Sequence, residues 1–148
     1  MDFETTVKME IYRTIADTAQ VPSSPEVAGA LGASVEAVEE AFRSLRGRRL
    51  LFLEPGDPSR IRMAPPFSGI ATPFPVQARR KLYYANCVWD AYGVAAALRA
   101  DAVVEASDGW TGEPIVLEVR DQRPVPREDC VVHFAVPAAH WWDDLTYT

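Results

Sequence analysis

The sequence predicts an α+β protein with two lobes. Three segments of the first half carry apolar residues at helical spacing and precede two strand-like runs, whereas the second half has one helical run followed by β-branched runs separated by turns. Prolines cluster between the halves. We therefore expect a winged-helix-like lobe over residues 1–64, a docked proline-rich linker over 65–80, and a small, mostly antiparallel sheet with one helix over 81–148.

The first two helices of the N-terminal lobe have recognisable boundaries. Residues 3–20 carry apolar side chains at close to helical spacing and predict the first helix. Ser23 or Ser24 is a typical N-cap residue before Pro25 at the first helical position, and Gly32 marks the end of this second helix.

The third helix and a hairpin complete this lobe. Ser34 is the expected cap of "SVEAVEEAFRSLRG", whose apolar residues form a helical stripe. The runs "LLFLEP" and "RIRMAP" then predict two strands joined by a turn at "GDPS". Three helices followed by a hairpin are the pattern of a winged helix-turn-helix.

That pattern raises DNA binding as an alternative function. The arginines near the end of the third helix and on the hairpin would contact phosphates: Arg43, Arg46, Arg48, Arg49, Arg60 and Arg62. The first turns of the helix instead carry Glu36, Glu39 and Glu40, which would repel phosphates where a recognition helix contacts bases. The net charge of -6 also argues against broad nucleic-acid binding. A DNA-binding regulator that senses a soft metal or a small apolar ligand remains the alternative hypothesis, although we expect no nucleic-acid partner.

The sequence also indicates a cytoplasmic protein without a membrane partner. No run of about 18 apolar residues occurs, so no membrane-spanning helix is expected. Charges are scattered through "MDFETTVKMEIYRT", which is unlike a signal peptide. In a cytosolic chain, two cysteines are more often buried or reactive thiols than a disulfide.

In the C-terminal lobe, "KLYYANCVWDAYGVAAALRA" over residues 81–100 predicts one helix. The runs at 101–107, 115–121 and 130–137 predict strands, because they are rich in β-branched residues and are separated by turn sequences.

Cys87 and Asp90 are three residues apart on that helix and therefore share a face, with Trp89 and Tyr92 flanking them. A thiolate is a soft nucleophile and a ligand for soft metals, and partial burial of the carboxylate would raise its pKa toward neutral pH. This pair suits chemistry in which sulfur captures a soft electrophile and a proton is then delivered to a leaving group. The alternative interpretation is a buried cysteine whose face happens to include an aspartate.

The other polar candidates are weaker when taken by themselves. Alternation on the third predicted strand places Cys130, Val132 and Phe134 on one face and His133 on the other, so Cys130 fits a small apolar residue of a sheet. Neither cysteine has the His and Cys neighbours of a zinc motif, and no phosphate-binding glycine loop occurs.

The order of the winged-helix-like lobe, the linker "PFSGIATPFPV" and the run "LYYANCVWDAYGVAAAL" resembles the alkylmercury lyase (organomercurial lyase) family. The aromatic-rich run with a Cys and an Asp three residues later is the most specific motif of that family. The likeness continues through "EPIVLEV" and "CVVHFAVPAAHWWDD". The resemblance implies a lyase fold and an activity that cleaves carbon–mercury bonds by protonolysis.

The resemblance also implies roles for three residues. Cys87 would be the mercury-capturing thiolate, Asp90 the proton-transfer group, and Cys130 the second thiol that completes a dithiolate grip. No cofactor is implied, because mercury is the substrate and product ion. The implied partners are a small organomercurial substrate and a thiol reductant or mercury-accepting protein that removes the product.

This chain departs from the family pattern in two ways. The stretch between the two cysteines looks shorter, and Cys130 sits one residue closer to the histidine, which on a strand would turn the thiol to the other face. The chain also stops at Thr148, where family members usually continue, so a C-terminally shortened member with impaired cleavage is one expectation.

Overall fold

The computed structural model describes residues 1–143 and confirms the α+β class. The chain forms two compact units, Met1–Ala71 and Thr72–Thr148, and the end of the second unit, residues 144–148, lies outside the described residues together with the predicted end of the C-terminal lobe. Within residues 1–143, no helix is both long and apolar enough to cross a membrane.

Three helices open the first unit: α1 (Phe3–Thr18), α2 (Ser24–Leu31) and α3 (Val35–Gly47). The capping residues explain where they begin. Ser23 and Glu26 form a capping box at α2, and the Ser34 hydroxyl accepts a hydrogen bond from the Ala37 amide at α3. The sequence predicted Pro25 at the first helical position. Helix α2 begins at Ser24, so Pro25 occupies the second position instead.

A three-stranded antiparallel sheet of order β1-β2-β3 follows the helices: β1 (Phe52–Glu54), β2 (Asp57–Ala64) and β3 (Phe67–Ser68). The predicted turn at "GDPS" is shorter than expected. Gly56 takes a left-handed conformation (φ 79) that closes the turn, so Asp57 already belongs to β2. The buried core of this unit joins the helices to the sheet and includes Val7, Ile11, Phe42, Leu51 and Ile61.

The second unit is a five-stranded antiparallel sheet of order β5-β4-β6-β7-β8. Its strands are β4 (Pro75–Ala78), β5 (Lys81–Tyr84), β6 (Ala102–Ser107), β7 (Pro114–Arg120) and β8 (Arg123–Pro124). Helix α4 (Val88–Leu98) lies against the adjacent strands β4 and β6, and a 3-10 turn occupies Ala138–His140. The core of this unit includes Val76, Tyr83, Val94, Leu98 and Val104.

The prediction of one helix over residues 81–100 is wrong at its start. Lys81–Tyr84 forms strand β5, in which Tyr83 pairs with Val76 and is buried, and α4 begins only at Val88. The aromatic run suits a pleated strand, and pairing with β4 overrides the helical pattern of the longer segment.

The predicted strand at 130–137 is also wrong, because this segment has no strand in the structure. Pro124 and Pro126 precede it and lack the backbone N–H groups that a continuing ladder needs. The alternation argument for the orientation of Cys130 therefore no longer applies.

Candidate active site

Cys87 is the N-cap residue of α4 and lies outside the helix proper. Its backbone is extended (φ -147, ψ 176), and its Sγ accepts a hydrogen bond of 3.5 Å from the Asp90 amide. A thiol thus takes the place that Ser, Thr or Asp usually holds at a helix start, and Asp90 occupies the third helical position. The two side chains are neighbours as the sequence predicted, but through capping and not through a shared helical face.

The proton equilibria of this pair depend on each other. Burial raises the pKa of Asp90 from 3.8 to about 6, although a hydrogen bond with Cys87 lowers it in part. Burial is also the main cause that raises the pKa of the Cys87 thiol, and the nearby Asp90 charge adds to it, while the Asp90 amide opposes the shift. At neutral pH the resting pair is therefore a protonated thiol beside a mostly ionised carboxylate.

Hydrogen bonds to backbone carbonyls hold α4 in place at both ends. Before the helix, the Thr72 hydroxyl donates to the Ala85 carbonyl, and the Ala85 amide donates to the Phe74 carbonyl at 3.1 Å. At the other end, the Arg79 guanidinium donates to the Leu98 carbonyl, one of the carbonyls left unpaired by the helix end. The start of α4, and with it Cys87, is thereby tied to the first strands of the sheet.

Cys130 is half-buried, like Cys87, and both cysteines are free thiols. Cys130 lies close enough to Tyr92 of α4 to affect the phenol: burial is the main cause that raises the pKa of Tyr92, Cys130 raises it further, and Arg127 lowers it. The structure therefore brings Cys130 near the helix that carries Cys87 and Asp90.

Three aromatic side chains form a cluster at the start of α4, which we call the aromatic clasp: Trp89, Phe134 and Trp141. The Trp89 and Phe134 rings meet edge to face with centroids 5.9 Å apart, and Phe134 stacks on Trp141 at 4.9 Å. The sequence indicates Trp89 as a flanking residue but not its ring partners, because Phe134 falls in the segment predicted as a strand. The density of aromatic residues around "HFAVPAAHWW" was the available signal.

Other groups are not drawn into this site. Among residues 1–143, no group of three or more His, Cys, Asp and Glu side chains could hold a metal ion. His140 instead contacts the carboxylate of Asp143 at 2.9 Å. A cavity of about 430 Å³ lies in the first unit between the start of α2 and strand β2, and none of the three predicted site residues lines it.

The arginines considered for DNA contact are partly neutralised within their own unit. Arg43 pairs with Glu40 at 2.7 Å, Arg48 with Glu4 at 3.1 Å, and Arg62 with Glu54 at 3.3 Å. These side chains face carboxylates in the structure, which reduces the positive field that phosphate binding needs.

The family model that matches this chain covers the second unit and the few residues before it. The model of the alkylmercury lyase family (MerB) matches residues 67–148, which include Cys87, Asp90 and Cys130. No curated protein matches the chain.

Among solved structures, the mercury-bound form of MerB2 matches with a TM-score of 0.68 and 21% identity, over 85% of this chain and 60% of that chain. At this identity the match shows a shared fold. The chain spans about 60% of the length of that protein. Because the family model matches more than half of the residues of this chain, the chain belongs to the alkylmercury lyase family.

Proposed function

We propose that this protein cleaves the carbon–mercury bond of a small organomercurial by protonolysis, with Cys87 as the capturing thiol, Asp90 as the proton-transfer group and Cys130 as the second thiol. The observation that carries the proposal is the hydrogen-bonded pair at the start of α4: a half-buried thiol beside a carboxyl whose pKa is raised to about 6. Membership of the alkylmercury lyase family supports this chemistry.

The proposed capture begins with proton removal. Asp90, mostly ionised at neutral pH, accepts the thiol proton as Cys87 sulfur bonds to the mercury of an R–Hg⁺ cation. The carboxyl is then protonated and stands beside the carbon–mercury bond that has to break. Its raised pKa matters here, because the Asp90 carboxyl holds this proton more strongly against loss to water than a carboxylic acid with an ordinary pKa does.

Cleavage then follows from Asp90 and Cys130 acting together. Cys130 gives up its proton to solvent and binds mercury as a thiolate, which supplies electron density as the carbon–mercury bond breaks. The proton on Asp90 bonds to the departing carbon with the electron pair of that bond and gives RH. The balance is R–Hg⁺ plus two thiols giving RH, a mercury dithiolate and one proton, and no oxidant or reductant is consumed.

Turnover requires removal of mercury from the two thiols. We propose that a small thiol reductant or a mercury-accepting protein takes the ion by thiol exchange, and that the reaction occurs in the cytoplasm, where thiols stay reduced.

The test is a titration of the reduced protein with phenylmercury acetate in which bound mercury and released benzene are both followed. Cys87→Ser should lose capture. Cys130→Ser should retain capture, Asp90→Asn should capture more slowly because its thiol proton has to pass to solvent, and both should lose most of the benzene release. Glu105→Gln is the matched control, because it converts an exposed carboxylate of β6 in the same unit to an amide.

Release of benzene by the Asp90→Asn protein at the parent rate would overturn the role of Asp90. Capture without release in the parent would reduce the proposal to mercury binding by Cys87. If the parent shows no capture and no release, the mercury hypothesis for this chain is wrong.

A further inference from the structure

The segment that carries Cys130 has no strand to fix its position. Residues 125–137, between β8 and the 3-10 turn, have no regular secondary structure. A thiol on such a segment needs side-chain contacts to hold it near a partner, because each freely rotating backbone bond would spread its position.

One anchor lies before Cys130 in the chain. The Arg127 guanidinium donates to the Val116 carbonyl of β7 at 3.1 Å and to the Asp129 carboxylate at 2.8 Å. This anchor ties the segment to the sheet three residues ahead of the thiol.

The second anchor is the aromatic clasp, which lies after Cys130. Phe134, four residues beyond the thiol, packs edge to face on Trp89 at an interplanar angle of 71°. Trp141 also stacks on Phe134, and its indole N–H donates to the Val136 carbonyl at 3.0 Å, which folds the segment back on itself. Because Trp89 lies between Cys87 and Asp90 in the sequence, this anchor attaches the Cys130 segment directly to the start of α4.

We infer that Trp89 is a positioning residue that holds Cys130 against the Cys87 and Asp90 end of α4 through its contact with Phe134. The inference rests on the proposed function, in which both thiols grip one mercury ion. Trp89 is 55% exposed and Phe134 40%, so the contact contributes little to a buried core and its main effect is on the position of the segment.

The experiment compares Trp89→Ala and Trp89→Phe with Trp110→Ala, which removes another indole of the same unit that is 96% exposed in the turn between β6 and β7. The first measurement is the retention of inorganic mercury(II) against a competing small dithiol, which reports the two-thiol grip. The second is the rate at which Cys87 captures phenylmercury in a Cys130→Ser background, which reports Cys87 alone.

Trp89→Ala should weaken mercury(II) retention roughly two- to tenfold, the equivalent of about 0.5–1.5 kcal/mol for an edge-to-face pair. Trp89→Phe should restore most of the retention, because an aromatic edge contact remains, and Trp110→Ala should match the parent. In the Cys130→Ser background, phenylmercury capture by Cys87 should keep the rate of the Cys130→Ser protein in all three variants.

Retention by Trp89→Ala equal to that of the parent would overturn the inference and leave the proposed function intact. An equal loss in both measurements would also overturn it, because the effect would then lie at Cys87 and not at the position of Cys130. If the parent retains mercury(II) no better than Cys130→Ser, the two-thiol grip fails and the inference fails with it.

Discussion

At the scale of single residues, the central feature is a thiol that serves both as a helix cap and as a reactive group. The Cys87 sulfur accepts a hydrogen bond from the Asp90 amide, and this hydrogen bond favours the ionised form of the thiol. Burial and the neighbouring carboxylate favour the protonated form. The balance leaves the proton on sulfur at rest and makes its removal depend on Asp90.

This dependence predicts the pH profile of capture. The rate of phenylmercury capture should rise as pH increases through about 6, where the Asp90 carboxyl ionises and becomes able to accept the thiol proton. Stopped-flow measurements between pH 5 and pH 8, ranges chosen to bracket about 6, would resolve the inflection. Asp90→Asn should lack it, and Glu105→Gln should keep it. An inflection that persists in Asp90→Asn would assign it to another group.

The free energy of unfolding should also depend on the ionisation of Asp90. It should fall as pH rises, whereas the capture rate increases. The folded-state pKa of Asp90 lies above its ordinary value of 3.8, so its contribution to the free energy of unfolding is fully present below that value and is lost as pH rises through about 6. The free energy of unfolding of the parent should therefore fall by at most about 3 kcal/mol relative to that of Asp90→Asn across this window. Urea denaturation of both proteins at several pH values measures the difference. A constant difference would contradict the raised pKa.

The sequence identified Cys87 and Asp90 as neighbours from their spacing alone. That spacing brings side chains together both within a helix and between an N-cap residue and the third helical position, so the inference was robust to the wrong helix start. The two arrangements differ in the amide hydrogen bond to sulfur, which only the position of the helix start reveals.

At the scale of elements, the reliable predictions were those with local chemical signals. Ser34 capped α3 as expected, because its hydroxyl satisfies an amide of the first turn. The start of the helix predicted over 81–100 and the strand predicted at 130–137 are wrong, since the structure there depends on pairing with β4 in one case and on side-chain anchors in the other. Such long-range contacts leave no local pattern in the sequence.

Strand β2 provides a prediction on element packing. A Cβ atom added at Gly69 would overlap the Ile61 carbonyl, and the Gly69 amide already donates to the Arg62 carbonyl at 2.8 Å. Gly69→Ala should therefore lower the free energy of unfolding by about 1–3 kcal/mol, because the backbone has to move apart. The midpoint of urea denaturation measures this change.

Gly29 is the matched control for that substitution. It lies in α2, and an added Cβ would meet nothing within 4 Å. Gly29→Ala should raise the free energy of unfolding by about 0.5–1 kcal/mol, because alanine loses less backbone entropy in a helix. Equal effects of the two substitutions would contradict the close approach at Gly69.

At the scale of the whole molecule, the α+β class was predictable because it follows from the order of helical and strand-like runs. The sequence also predicts two lobes, but the exact boundary between Met1–Ala71 and Thr72–Thr148 depends on long-range packing, which no local pattern reveals. The arrangement around Cys130 was beyond sequence reasoning for the same reason.

The charge of the molecule predicts its behaviour toward nucleic acid. With a net charge of -6 and three of the candidate arginines paired with carboxylates, the protein should not retain duplex DNA at about 150 mM salt. Fluorescence anisotropy of a labelled duplex measures retention. Binding that weakens steeply with added salt would contradict the prediction and favour the regulator hypothesis.

The place of Trp89 at the start of α4 also has an optical consequence. Mercury is a heavy atom, and heavy atoms quench indole emission at short range by promoting passage to the triplet state. Trp89 follows the Cys87 cap by two residues, whereas Trp110 lies in the turn between β6 and β7. Occupation of the site should therefore quench the emission of Trp89, while the emission of Trp110 stays constant, so the fluorescence of the protein itself reports mercury binding.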